Sequence, residues 1–148
     1  MHIRPYDPTQ DEAAVYRIWV EIGWLDRGKE EQRQAMNVFI KGCQALVAEV
    51  RGEAESLTLT TPATLRYQDE TLEFSAVTGV MTSLITRKQG LAGRVTARAI
   101  ANAAIDGALV TGLGIFDQGF YDKLGFGNMP YHHAFSFDPE TLLVDISP

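Results

Sequence analysis

The chain has 148 residues, 45% of them hydrophobic and 22% charged, with 13 basic against 19 acidic side chains and a net charge of −6 at pH 7. These values fit one globular domain over residues 1–148 and exclude a disordered or low-complexity chain. The acidic excess argues against a nucleic-acid partner, which needs a basic footprint; it fits either plain solubility or attraction of a cationic substrate.

The single cysteine, Cys43, excludes an internal disulfide framework and a multi-cysteine zinc site, and it reads as a small buried hydrophobe in a reducing compartment. A cytoplasmic protein is expected. The N-terminal MHIRPYDPTQDE has no apolar signal segment, and no run approaches the roughly 18 apolar residues of a membrane span, so no membrane partner is expected.

Met1 to Tyr6 reads as a short strand ended by prolines. Thr9 with Glu12 then forms a capping-box pattern, and Val15, Ile18, Trp19 and Ile22 follow at helical spacing up to Gly23. A second helix is predicted from about Lys29 to Lys41, with Met36, Phe39 and Ile40 on its inner side and Gly42 as its left-handed stop. Strands follow: Ala45 to Val50, a turn at Arg51-Gly52-Glu53, then Ser56 to Thr61, interrupted by Pro62, which suggests an edge or a bend. Leu72 to Thr82 reads as a longer strand with Leu72, Phe74, Ala76 and Val80 on one face and a bulge or close backbone approach at Gly79.

Gly90 to Asp106 carries the clearest helix, with Leu91, Val95 and Ala99 stacked along one face. Ala108 to Leu113 reads as a short buried strand, Asp117 to Lys123 as a short helix, and Pro130 to Phe137 as a last strand region. The order β-α-α-β-β-β-α-β-α-β implies an α/β (α+β) fold with a mixed, largely antiparallel twisted sheet and helices on both faces.

Two segments carry chemistry. In VMTSLITRKQGLAGRV, Val80 to Val95, a strand runs through a polar loop into a helix, with Arg87 and Lys88 just before Gly90. The first amides of a helix lack internal partners and sit at the positive end of its dipole, and Gly90, Ala92 and Gly93 let an anion approach them closely. The stretch fits a phosphate site and, equally, a basic helix start. It has neither the terminal Lys-Ser/Thr of a P-loop nor a G-x-G-x-x-G dinucleotide turn. In FDQGFYDKLGFGN, Phe116 to Asn128, Tyr121 lies in a short helix beyond a strand, where an amphipathic ring is also an ordinary structural residue.

Taken in order, R-x-x-G-x-A at Arg87 to Ala92 and FYDKLGF at Phe120 to Phe126 resemble the paired motifs of the GNAT N-acetyltransferase family. The R-K-Q-G-L loop and GIFDQGFYDKLGFG make the resemblance closest to the branch related to the enhanced-intracellular-survival (Eis) type. Domains of that branch usually continue into further C-terminal domains, whereas this chain ends at Pro148, as a stand-alone or shortened relative would. The resemblance implies a GNAT-like fold and acetyl-CoA as cosubstrate, without a metal. It implies that the backbone of Val80, Met81 and Thr82 pairs with the pantetheine arm. Lys88, Gln89, Gly90, Leu91, Ala92 and Gly93, with Arg87 nearby, would hold the pyrophosphate. Phe116 and Asp117 would lie beside the thioester, and Tyr121 would protonate the leaving thiolate.

The implied reaction is direct attack of a primary amine of a small molecule or peptide on acetyl-CoA. A CoA-binding sensor or scaffold of the same fold without turnover stands as the alternative. Glu49, Glu73 and His132 are candidate bases, and Trp19, Trp24, Tyr67 and Tyr131 are candidate acceptor contacts, each equally readable as surface or core. The adjacent His132 and His133 point to opposite faces of a strand and make a poor metal pair. A homodimer stays open.

Overall fold

A computed structural model describes residues 1–114, 118–129, 136–138 and 141. It contains strand β1 (His2–Pro5), helices α1 (Pro8–Glu21) and α2 (Glu30–Lys41), and strands β2 (Gln44–Val50), β3 (Glu53–Tyr67) and β4 (Glu70–Thr82). Helix α3 (Leu91–Ile105), strand β5 (Val110–Gly112) and the single turn α4 (Gln118–Tyr121) follow. The five strands lie in the order β1-β2-β3-β4-β5. The first four pair antiparallel, and β5 runs parallel to β4. The predicted strand between Pro130 and Phe137 lies mostly outside the described residues.

Helices cover both faces of the sheet. On one side Val15, Ile18 and Trp19 of α1 and Met36 and Ile40 of α2 pack on Val47, Leu57, Leu59 and Met81. On the other, Leu91 and Val95 of α3 pack on Ala48. There the Thr58 and Thr96 hydroxyls meet at 3.1 Å, so the polar atoms buried under α3 satisfy each other. Full burial of each large aliphatic side chain contributes roughly 1.5–3 kcal/mol.

Several local expectations are corrected. The cap of α1 is Asp7, not Thr9; its carboxylate accepts the Thr9 N–H at 2.8 Å, while Glu12 pairs with Arg33 of α2 instead of closing a capping box. Gly42 closes α2 with φ −79°, a right-handed conformation open to any residue, and Phe39 is 45% exposed. Strand β3 runs on past Thr61 to Tyr67, while the edge that Pro62 suggests is present. Pairing with β2 ends at Thr60, so Pro62 sits where β3 has only β4 beside it and no N–H is needed on the other side. Strand β5 is shorter than expected and half-buried, because among the described residues it forms the sheet edge.

The bulge at Gly79 has the largest consequence. Leu59 faces Thr78 and Leu57 faces Met81, so Gly79 and Val80 together oppose Thr58. Across the bulge it is Met81, not Val80, that continues the face of Phe74, Ala76 and Thr78. Gly79 adopts φ +57°, and a Cβ there would lie 2.7 Å from Leu59 Cδ1, so the position needs glycine both for its torsion and for its contact.

Candidate functional site

The segment after β4 is fixed by a chain of short contacts. The Ser83 N–H donates to the Glu55 carbonyl at 2.9 Å, and the Leu84 N–H donates to Glu21 Oε2 at 3.1 Å. A 3-10 turn over Leu84–Thr86 follows, with the buried hydroxyls of Ser83 and Thr86 2.7 Å apart. The backbone then turns through Lys88 at φ +64° and Gly90 at φ +77° into α3. The left-handed region costs a non-glycine residue roughly 1–2 kcal/mol, so Lys88 marks a strained approach to the helix.

Gly90 caps α3 without a side chain. Among the described residues, nothing accepts a hydrogen bond from the amides of Lys88 to Gly93. A Cβ built on Gly90 or Gly93 would meet no atom within 4 Å, so the space in front of these amides is open. The electropositive tip of a 15-residue helix is thus left bare, with exposed Arg87 and Lys88 beside it.

A cleft lies elsewhere on the sheet, between β4, β5 and the segment that follows β5. Strand β5 pairs with β4 only at Phe74, Ser75 and Ala76. Beyond Ala76 the outer edge of β4 has no strand partner among the described residues, and the bulge bends it further away. The resulting cleft of about 940 Å³ is bounded by Phe74, Ala76, Val77 and Thr78 of β4, by β5, and by the segment from Tyr121 to Met129. Its wall is mainly apolar. The Tyr121 ring stands on that wall, edge-on to Phe120 and Phe126 at centroid distances of 4.9 and 5.8 Å. Gly112 is needed where β5 meets β4, since a Cβ there would lie 2.7 Å from Phe74 Cζ.

The sequence candidates therefore fall into groups. Arg87, Lys88, Gln89, Gly90, Leu91, Ala92 and Gly93 surround the bare helix tip, with the Leu91 side chain buried. Val80, Met81 and Thr82 lie between bulge and tip. The Met81 side chain is in the core, and its carbonyl accepts from Ser56 Oγ at 2.7 Å. Tyr121 lines the cleft. Phe116, Asp117, Tyr131 and His132 lie outside the described residues.

Of the other candidates, Glu49 is held by Arg4 at 2.8 Å, and Glu73 lies on β4 far before the bulge, opposite Thr64. Trp19 is buried and packs edge-on against exposed Trp24 at 5.4 Å, while Tyr67 is exposed at the end of β3. Cys43 accepts a hydrogen bond from Thr61 Oγ1 at 3.2 Å. The sequence reading missed Ala76, Val77 and Thr78, whose place in the cleft depends on where β5 stops pairing. Among the described residues no three His, Cys, Asp or Glu side chains cluster as metal ligands, and no helix is long and apolar enough to cross a membrane.

A mixed open sheet, parted beside a bulged strand that leads to a bare helix tip, defines the acyl-CoA N-acyltransferase class of fold. An acetyltransferase (GNAT) domain model matches residues 2–129, and the chain belongs to this family. No curated protein matches it by sequence. Among solved structures it is similar to a transcriptional regulator from Bacillus halodurans C-125, with TM-score 0.73 and 19% identity over 92% of this chain and 99% of the other. It is similar also to glucosamine-6-phosphate N-acetyltransferase from Arabidopsis thaliana, with TM-score 0.70 and 15% identity over 93% and 98% of the two chains. A third neighbour is an aminoglycoside 6'-N-acetyltransferase from Acinetobacter haemolyticus, with TM-score 0.67 and 18% identity over 93% and 99%. At these identities the likeness establishes the fold alone.

Proposed function

We propose that this protein transfers an acetyl or other short acyl group from its coenzyme A thioester to a primary amine of a small molecule or peptide. The observation that carries the reading is the continuity of two unsatisfied main-chain surfaces. Among the described residues the edge of β4 beyond Ala76 has no strand partner, and it leads through Val80 to Thr82 into the uncapped amides of α3. A molecule with an amide-bearing arm and a diphosphate satisfies both at once. The diphosphate accepts from the amides at the helix tip, where each charge-assisted hydrogen bond contributes roughly 1.5–3 kcal/mol. The arm's amides pair with β4 as an added strand would. The open space at Gly90 and Gly93 fits such a group.

Chemistry then falls in the cleft that Tyr121 shares with Ala76, Val77 and Thr78. A lysine-like amine is only about 0.04% neutral at pH 7, a cost of roughly 4–5 kcal/mol, so the amine must lose its proton before it attacks the thioester carbonyl. A β4 N–H aimed at that carbonyl oxygen would stabilise the oxyanion that develops there. As the carbon–sulfur bond breaks, the thiolate takes a proton. A phenol near pKa 10 keeps its proton at neutral pH and can deliver it from Tyr121. The test is thiol release from acetyl-CoA over a panel of primary amines, alongside calorimetric titration with CoA. Amine-dependent release above the hydrolysis background supports transfer. Saturable CoA binding with no release for any amine would favour a binding module, and absence of CoA binding would overturn both.

A further inference from the structure

We infer that Glu21, held by Arg17, is a positioning residue that sets the diphosphate-binding loop from the end of α1. The inference rests on the CoA reading above and adds to it a residue that lies outside the loop and the cleft. Glu21 is the last residue of α1, and its carboxylate divides its two oxygens. Oε1 accepts from Arg17 Nη1 at 2.9 Å, and Oε2 accepts the N–H of Leu84 at 3.1 Å. Arg17 Nη2 reaches Glu55 Oε1 at 3.3 Å, and the Glu55 carbonyl accepts the neighbouring N–H of Ser83 at 2.9 Å. A closed circuit therefore runs from β3 through Arg17 and Glu21 to two successive loop amides and back to β3.

Two features of this circuit run against local stability. A carboxylate at a helix C-terminus faces the negative end of the dipole, and α1 has no basic residue in its last turn to offset it. Glu55 is 5% exposed, and among the described residues its Oε2 has no hydrogen-bond partner. Both unfavourable carboxylates converge on Arg17; Glu21 holds the loop by its side chain, and Glu55 holds it by its main-chain carbonyl. Such local conflicts are expected where a segment's placement serves function. Burial alone would lower the Arg17 pKa, and the hydrogen bonds and charges of Glu21 and Glu55 raise it on balance. The anchored amides, Ser83 and Leu84, begin the 3-10 turn that ends immediately before Arg87. A rotation of that turn swings Lys88 to Gly93, and a misplacement of one ångström is enough to break several amide–phosphate bonds together.

The experiment compares wild type, Glu21→Ala and Glu21→Gln in three readouts. These are calorimetric affinity for CoA and for pantetheine, which lacks the diphosphate; the melting temperature; and amide exchange across Ser83 to Gly90. Glu21→Ala should weaken CoA about ten- to hundredfold, the equivalent of losing one charge-assisted hydrogen bond, while pantetheine affinity and melting temperature hold. In turnover, KM for acetyl-CoA should rise with kcat little changed. Exchange in the loop peptide should accelerate. Glu21→Gln keeps an acceptor for Leu84 and should restore most of the CoA affinity. Unchanged CoA affinity in Glu21→Ala, or an equal loss for CoA and pantetheine, overturns the inference and leaves the parent reading standing. A wild-type chain that binds no CoA overturns the parent reading and this inference with it.

Discussion

Gly79→Ala tests the bulge directly, because two separable penalties meet at that residue. The first is torsional: at φ +57° an alanine pays roughly 1–2 kcal/mol relative to glycine. The second is steric: the new Cβ would sit 2.7 Å from Leu59 Cδ1 and 2.9 Å from Leu59 Cγ, and Leu59 is fully buried. Forcing a methyl into a packed core costs roughly 1–3 kcal/mol. Together they predict a loss of about 2–5 kcal/mol, against a total stability of about 5–15 kcal/mol for an ordinary domain. For a chain of this size that lowers the melting temperature by roughly 4–20 °C.

Gly90→Ala is the internal control. It carries a similar torsion, φ +77°, but no atom lies within 4 Å of the new Cβ, so only the first penalty applies. Thermal melts of both variants separate the terms. A cycle with Leu59→Ala isolates the contact, since truncating the leucine should make the added methyl about 1–3 kcal/mol less costly. Equal losses at positions 79 and 90, or a Gly79→Ala penalty unchanged by Leu59→Ala, would refute the contact between the bulge and Leu59.

Tyr121→Phe should lower kcat more than about tenfold while CoA affinity holds, because proton transfer contributes roughly 10²–10⁴-fold; steady-state kinetics over an amine panel check it, and an unchanged kcat would reject the acid role. Gly90→Glu should abolish CoA binding with the fold retained: the side chain enters open space at a helix N-terminus that favours a carboxylate, yet competes for the amides a diphosphate needs. Normal CoA affinity in that variant would remove the loop from the site. Glu12, whose carboxyl is drawn below its usual value of 4.5 chiefly by its hydrogen bond to Arg33, stabilises the fold above that pH. This contribution is lost as pH falls through the lowered folded value. Urea midpoints of wild type and Glu12→Gln should therefore converge in acid and separate toward neutrality, and a constant gap would contradict the pairing.

What could be read from the sequence depended on whether a feature has a local residue signature. Helical spacing marked Val15, Ile18 and Trp19, and it marked Leu91, Val95 and Ala99; all of them are buried. Glycine marked Gly79 and Gly90, since an unusual torsion writes itself in residue choice. Features set by a distant partner left no such mark. Pro62 suggested an edge or a bend, but not that β3 would run on to Tyr67 beside β4. Thr9 read as the cap because Glu12 completed a familiar pattern, yet Glu12 is taken by Arg33, 21 positions away. Val80 changed faces because the bulge resets alternation only for the residues after it.

The same division separates the bare helix tip, which a few residues mark, from the open strand edge and from the contact that Glu21 makes. A bare helix tip is a property of a few consecutive residues, and Lys88-Gln89-Gly90-Leu91 announces it with small or long-stemmed side chains. The open edge of β4 is a relation between two strands distant in the sequence, Ala76 against Gly112, and only their register reveals where the sheet parts. Glu21 is further removed: it touches the loop through one main-chain N–H, at Leu84, and a main-chain donor carries no residue signature at all. Among the described residues the fold thus leaves two main-chain surfaces without partners, one local and one long-range, and joins them at the turn after Thr82.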